Sequence, residues 1–349
     1  MIIYIGGSVL FLILWRLCST KDMNFDYSGE NAKSAQEANE LVQALISEVE
    51  KVVVGKHNEI VMLVTSMLAG GHVLIEDVPG VGKTTLAAAL SKAAGLSFNR
   101  AQFTPDVMAS DITGFNIYNR SKEEFEFRSG LVMCNILLAD EINRASPKTQ
   151  SALLEAMEEG QVTVDGKTYA IPAPFMVIAT QNPSGYIGTY PLPEAQLDRF
   201  IMRLSMGYPT EAEEMAILAD RKTENPLSKI SSVTNADSIQ NLRSIVSGVT
   251  VSGEISRYIV QLVSATRNTK SITLGASPRA SLALMKLSQA YAFIKGRDYV
   301  LAEDVSALFI PAVSHRIMLS QEARLNQTGA AEVLAEVART VEVPFKSQR

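Results

Sequence analysis

The chain has 349 residues, too many for one ordinary hydrophobic core, so two domains are expected. Apolar residues make up 47% and charged residues 20%, the balance of a globular protein rather than a disordered or fibrous one. A formal net charge of -5, with basic and acidic side chains intermixed, argues against a strong nucleic-acid binder, which needs a dense basic face.

Two cysteines, Cys18 and Cys134, cannot supply a disulfide framework. His57, His72 and His315 stand far apart and outside any metal-ligand spacing, so transition-metal catalysis is not expected.

Met1 to Trp15 is uncharged and mostly apolar, and Arg16 and Lys21 follow. It falls short of the roughly 20 apolar residues of a spanning helix, and it lacks the basic start of a signal peptide. Two readings are open. Residues 1–17 anchor a cytoplasmic domain to a membrane, with Trp15 at the interface, or the ordinary polar start is Met23 and segment 1–22 is no part of the folded protein.

From Ser34 to Lys51, Leu41, Val42, Leu45, Ile46 and Val49 recur at helical spacing. A second helix is predicted from about Asn58 to Leu68, and Gly70-Gly71 then releases the chain into a strand, His72 to Glu76. Further strands are expected at Phe98–Gln102, Ile136–Ala139, Phe175–Thr180 and Phe200–Ser205, with helices at Lys83–Ala94 and Lys148–Glu159. Short apolar strands alternating with helices predict a parallel sheet covered on both faces. Beyond Pro209 only helices are predicted, which places a domain boundary there: 34–209 an α/β core, 210–349 a helical domain.

The segment Val73-Leu74-Ile75-Glu76-Asp77-Val78-Pro79-Gly80-Val81-Gly82-Lys83-Thr84 reads as strand, glycine loop and helix start, the arrangement of a P-loop. Loop and helix N–H groups in such a turn face phosphates, and the helix dipole favours negative charge there. Lys83 would meet the β- and γ-phosphates and Thr84 would hold Mg²⁺, with Pro79, Gly80, Val81, Gly82 and Thr85 completing the cradle. One position departs from the motif: Asp77 stands where its first glycine belongs. A carboxylate beside a triphosphate is unfavourable unless it points away or caps a neighbouring N–H.

Four apolar residues, Ile136 to Ala139, lead into Asp140-Glu141. Asp140 fits the metal side of a nucleotide site and Glu141 the base that polarises water. The pair also suits a helix N-terminus, and the two roles are compatible.

Several ordered runs resemble the MoxR family of AAA+ ATPases: Leu137 to Ala145 with Pro147 to Glu155, Gln102 to Asp106 with Ser110 to Gly114, Ala179-Thr180-Gln181-Asn182-Pro183, and Leu192 to Phe200. The resemblance covers roughly Leu41 to the C-terminus. It implies an AAA+ P-loop core, a parallel sheet with flanking helices, followed by an all-α lid. It implies ATP and Mg²⁺ as ligands and hydrolysis as the reaction.

By the same resemblance Asn182 is sensor 1, Arg199 an arginine finger for a neighbouring subunit and Arg279 sensor 2 on the lid. Val53, Val54 and Gly55 line the adenine pocket. On the residues alone, Asn182 also reads as a turn former before Pro183, Arg199 as a surface partner of Asp198, and Ser277-Pro278 as a plain helix start.

Phe103 to Gly130 resembles the helix-2 insert of this clade, and Val162 to Ile171, alternating around Asp165-Gly166, is a hairpin by its own pattern. The family further implies a homo-oligomer, a hexamer, acting on a client protein such as one with a von Willebrand factor A domain. Alternatives are a chelatase-type motor subunit, a DNA-remodelling ATPase and a nucleotide-gated binding module without robust hydrolysis.

Overall fold

A computed structural model describes residues 29–182, 189–220 and 226–344. Contacts divide the chain into Met1–Glu37, of which 29–37 are described, and Ala38–Arg349. Helices α1 (Gly29–Glu50) and α2 (His57–Leu68) come first, and Val42, Leu45, Ile46 and Val49 of the expected stripe are buried.

Strand β1 (His72–Glu76) follows, then α3 (Lys83–Ala93) and β2 (Phe98–Gln102). The insert contains a short helix, α4 (Ala109–Thr113), and an antiparallel hairpin, β3 (Gly114–Asn119) with β4 (Glu124–Ser129). Beyond it come β5 (Ile136–Asp140), α5 (Pro147–Glu159), the hairpin β6 (Gln161–Val164) and β7 (Lys167–Ala170), and β8 (Met176–Gln181). A one-turn helix α6 (Glu194–Leu197) precedes β9 (Phe200–Leu204).

The central sheet has order β2-β5-β8-β1-β9 and its strand pairs are parallel. Side chains alternate across it. Val73, Ile75, Ile136, Leu138, Met176 and Ile178 bury one face against α1–α3, while Leu74, Leu137, Ala139, Val177 and Ala179 bury the other against α5. Each of the larger side chains, Val, Leu, Ile or Met, contributes about 1.5–3 kcal/mol by leaving water. The register aligns Glu76 with Gln181, and Gln102 with Asp140, so the strands end together where burial stops. In an open parallel sheet that edge is the ligand-binding edge.

The segment after β9 is helical: α7 (Glu211–Asp220), α8 (Ala236–Ser247), α9 (Gly253–Ala265), α10 (Pro278–Ile294), α11 (Ala302–Val313), α12 (Gln321–Leu325) and α13 (Ala330–Thr340). Ile239, Leu262, Leu287, Leu308 and Leu334 join the apolar cluster that covers the first face of the sheet. The sequence predicted helices alone here, but a small antiparallel ribbon, β10 (Ile272–Leu274) with β11 (Met318–Leu319), interrupts them. Pieces of three and two residues are too short to leave a periodic signal.

The expected membrane anchor, and the cytoplasmic placement that hung on it, are corrected. Among the described residues no helix is long and apolar enough to cross a membrane. Residues 1–17 and the start at Met23 lie outside the described residues.

Candidate functional site

The loop between β1 and α3 owes its shape to two glycines. Gly80 (φ 88°) and Gly82 (φ 91°) lie in the left-handed region that other residues avoid, and no atom stands within 4 Å of where a Cβ would be. The cradle is therefore open, and glycine makes its left-handed turns without strain. Gly82 caps α3 without a side-chain bond, so the first N–H groups of that 11-residue helix face the cradle.

Two cavities meet at this loop and share Gly80, Gly82 and Thr85. The first, about 400 Å³ and mostly apolar, is lined by Val52, Val53, Val54, Lys56, Val81, Met206, Pro209 and Leu218 among others. The second, about 380 Å³, holds Pro79, Lys83, Thr84, Asp140, Glu141 and Asn182, with Arg100, Gln102, Thr180 and Gln181. An apolar chamber opening into a polar one is the shape a nucleoside triphosphate requires. Gly55 (φ 74°) is not a lining residue; it lies beneath Glu213, whose carboxylate an added Cβ would strike.

Lys83 Nζ donates to the Asp77 carbonyl oxygen at 2.8 Å. Burial lowers its pKa from the ordinary lysine value, opposed by the charges of Asp77, Asp140 and Glu141. The Asp77 side chain points away from the cradle. Its Oδ2 accepts from Ser205 Oγ (3.0 Å), Met206 N (2.6 Å) and Gly207 N (2.7 Å), and its Oδ1 from Val78 N (2.8 Å). Burial alone would raise its pKa, but the bonds from Gly207, Val78, Ser205 and Met206 outweigh it and hold the carboxyl below its ordinary value. The condition the sequence set for tolerating this residue is met.

Thr180, in the β8 motif but without a role read from sequence, ties the acidic pair together. Its hydroxyl donates to Asp140 Oδ1 (2.6 Å) and accepts from the Glu141 N–H (2.9 Å). Asp140 Oδ2 accepts from Arg100 Nη2 at 2.9 Å, and Glu141 Oε2 from Arg144 Nη1 at 2.9 Å. Glu141 itself sits at φ 56°, an unfavourable backbone for a residue with a Cβ. Thr84 and Asp140 offer hard oxygen donors, and among the described residues no cluster of three or more His, Cys, Asp or Glu could hold a metal. Hard oxygen donors are the type that Mg²⁺ takes.

Arg199 and Arg279 do not line either chamber. They stand together at a third cavity of about 300 Å³, with His72, Met157, Glu158 and Asp198. Glu158 joins them: Oε2 lies 2.6 Å from Arg199 Nη1 and Oε1 2.9 Å from Arg279 Nη2. The alternative partner read from sequence, Asp198, is engaged elsewhere. It accepts from Ser277 Oγ at 2.9 Å and pairs with Arg316 Nη1 at 3.3 Å. Glu158 carried no sequence signal beyond a charged helix end. Arg100 carried none either, since alternation along β2 does not say which partner a side chain meets.

His72 is a core residue. Its Nε2 faces the Met157 carbonyl (3.0 Å), its Nδ1 accepts from Val177 N (2.9 Å), and burial pushes its pKa down to about 4. Cys134, buried with its pKa pushed up to about 11, is no nucleophile. The hairpin read from sequence packs on the β3–β4 hairpin inside the insert. Phe127 stacks on Tyr169 with centroids 3.8 Å apart, and Asn116 Nδ2 donates to Asp165 Oδ2 at 2.7 Å.

Residues 72–202 match the profile of the ATPase family associated with various cellular activities (AAA), and 264–337 that of the AAA lid domain. The protein YeaC of Bacillus subtilis (strain 168) is 48% identical over 306 residues, covering 88% of this chain and 96% of that one. Chaperone MoxR1 of Mycobacterium tuberculosis is 38% identical, covering 87% and 82%. Protein MoxR of Paracoccus denitrificans is 30% identical, covering 84% and 93%. A solved structure from Cytophaga hutchinsonii superposes with a TM-score of 0.85 at 37% identity, covering 91% of this chain and 99% of that one. With full-length relatives at this identity and the ordered motifs closing on one edge of the sheet, the chain belongs to the MoxR family of AAA+ ATPases.

Proposed function

We propose that this ATPase binds ATP with Mg²⁺, hydrolyses the β–γ phosphoanhydride within a ring of like subunits, and uses the cycle to remodel or mature a protein partner. The observation that carries the reading is the convergence of Lys83, Thr84, Asp140, Glu141 and Asn182 on one polar chamber that opens into an apolar one. Lys83 and the loop amides hold the phosphates. Glu141 takes a proton from the attacking water as the new O–P bond forms, and the bond to the β-phosphate oxygen breaks, releasing ADP. Asn182 helps place that water. Mg²⁺, held by Thr84 and Asp140, would supply charge neutralisation at the β- and γ-phosphates.

Arg199 and Arg279 stand outside their own chain's phosphate chamber, on a shared carboxylate. That placement favours their serving the γ-phosphate of an adjacent subunit, as a homo-oligomer, hexameric in this family, would require. The Mycobacterium tuberculosis relative is named a chaperone, and a client protein, with a von Willebrand factor A domain as one form, follows on that basis and on family resemblance.

The test is steady-state hydrolysis by the full chain across protein concentration, beside Lys83→Ala and Arg199→Ala. Both variants are expected to lose turnover, and wild-type specific activity to rise with concentration as rings assemble. An Arg199→Ala protein as active as wild type would remove the shared-site reading. ATP binding without turnover would favour a nucleotide-gated module, a reading to which the Arg144 contact on Glu141 lends support.

A further inference from the structure

We propose that Asp77 is a positioning residue which, together with Lys56, fastens the crossover at residues 205–209 to the nucleotide-lining loops and so carries nucleotide occupancy to α7. The inference rests on the ATP-binding reading of the two chambers, and it concerns the one residue of the phosphate loop that departs from the motif.

Three observations converge. First, the loop does not need glycine at 77: the left-handed positions are Gly80 and Gly82, and Asp77 is not among the described residues with positive φ. The position is thus free to carry a side chain, and its carboxylate spends one oxygen on the neighbouring Val78 N–H and the other on the crossover. Asp77 is only 7% exposed, and three of the four hydrogen bonds its carboxylate accepts come from the crossover.

Second, the crossover is gripped from the other side by the loop that lines the apolar chamber. Lys56 Nζ donates to the Met206 carbonyl at 2.5 Å and lies 3.4 Å from that of Tyr208. Met206 is therefore held at its N–H by an anion from the phosphate loop and at its C=O by a cation from the base-side loop. Such charge-assisted bonds are the strong ones.

Third, what the crossover leads to also touches the nucleotide space. Thr210 N donates to Glu213 Oε2 at 2.7 Å at the start of α7, and Glu214 and Leu218 of that helix line the apolar chamber. Gly55 packs beneath Glu213 so closely that no Cβ fits between them.

The Asp77 backbone completes the linkage. Its carbonyl is where Lys83 Nζ rests, so a phosphate that draws Lys83 away relaxes one end of Asp77 while its side chain stays locked to the crossover. A shift of the phosphate loop is passed to Met206 and Gly207 directly, through a side chain the motif does not call for.

Amide hydrogen exchange over residues 205–215 of the full chain, with and without ADP and Mg²⁺, tests this, because the Met206 and Gly207 N–H groups are themselves the donors. In the wild type, ADP is expected to slow exchange there at least about tenfold. Asp77→Gly restores the motif's own residue; with ADP binding followed by a fluorescent analogue and exchange compared at saturating ADP, the ADP-dependent slowing should fall below about twofold. Lys56→Met, which releases the crossover from the opposite side, should show the same loss of slowing at saturating ADP, and serves if Asp77→Gly does not fold.

Full slowing retained in either variant overturns the proposal. So does loss of ADP binding in step with the slowing, which would mean the carboxylate shapes the phosphate loop itself. A wild type that binds ADP and shows the slowing but does not hydrolyse ATP would sink the hydrolysis reading and leave the linkage standing.

Discussion

Arg199 Nη1 lies 2.6 Å from Glu158 Oε2, and the same carboxylate holds Arg279 through its other oxygen. Arg199 Nη1 also donates to the Leu154 carbonyl at 2.7 Å, so the end of α5 fixes the direction of the guanidinium. Glu158 thereby gathers two like charges, from either side of the crossover after β9, into one cluster, proposed above as the receptor for a neighbouring subunit's γ-phosphate.

If that receptor serves an adjacent subunit, defects on opposite sides of one interface should complement. Arg199→Ala is expected to lower kcat by about 10³-fold and Glu141→Gln by a similar factor. Mixed one to one, some subunits keep an intact Glu141 beside a neighbour's intact Arg199, and activity should return to a sizeable fraction of wild type. Glu158→Gln, which keeps a hydrogen bond but loses the charge, should cost roughly tenfold in kcat with little change in KM. A mixture no more active than its components would place the arginines in their own chain's site.

Glu141 supplies a stability test that is independent of the reaction. At φ 56° a Cβ is strained and glycine is not. Glu141→Gly should therefore be more stable than Glu141→Ala by about 1 kcal/mol in urea titration, although both lack the base and neither should turn over. Equal stability would show that the strain is relieved by neighbouring adjustment.

Thr180 is 1% exposed and satisfies both Asp140 and the Glu141 N–H. Thr180→Val removes the hydroxyl at nearly constant volume and leaves two polar groups without it, a cost of about 1–3 kcal/mol. Thr180→Ser should keep both bonds, stability and most activity. The informative comparison is Val against Ser, since only a role through the hydroxyl separates them.

Stability should also fall on mild acidification. Burial holds His72 at about 4, and burial with the Arg316 charge holds His315 at about 3, against an ordinary 6.5. The folded pKa values are depressed, so the unfolded chain binds more protons below pH 6.5. The contribution is therefore whole above 6.5, declines from there, and is gone once pH falls through about 4 and 3. At pH 5 the loss is on the order of 2 kcal/mol per histidine, readable by denaturation at pH 7 and pH 5. His72→Gln should flatten the pH 5–7 difference by about half. An unchanged slope would assign it to other groups.

The order of elements was legible because strands and helices announce themselves by period, and because a phosphate loop is made of consecutive residues. Gly80, Gly82, Lys83 and Thr84 need no distant partner to form their cradle, and Asp140-Glu141 follow directly from the apolar run of β5. The resemblance to the family was legible in the same local runs.

What a side chain does across the fold was not legible, because it depends on residues far away in sequence. Asp77 reaches Ser205 over 128 positions and Arg279 reaches Glu158 over 121. From the chain alone Asp77 was a flaw in the phosphate loop, Thr180 one letter in a motif, and Glu158 an ordinary charge at a helix end. Periodicity and motif spacing report which face of an element is buried and which atoms are consecutive. Only the tertiary structure, by aligning the strand ends and folding the last helices back onto the sheet, decided which charge meets which.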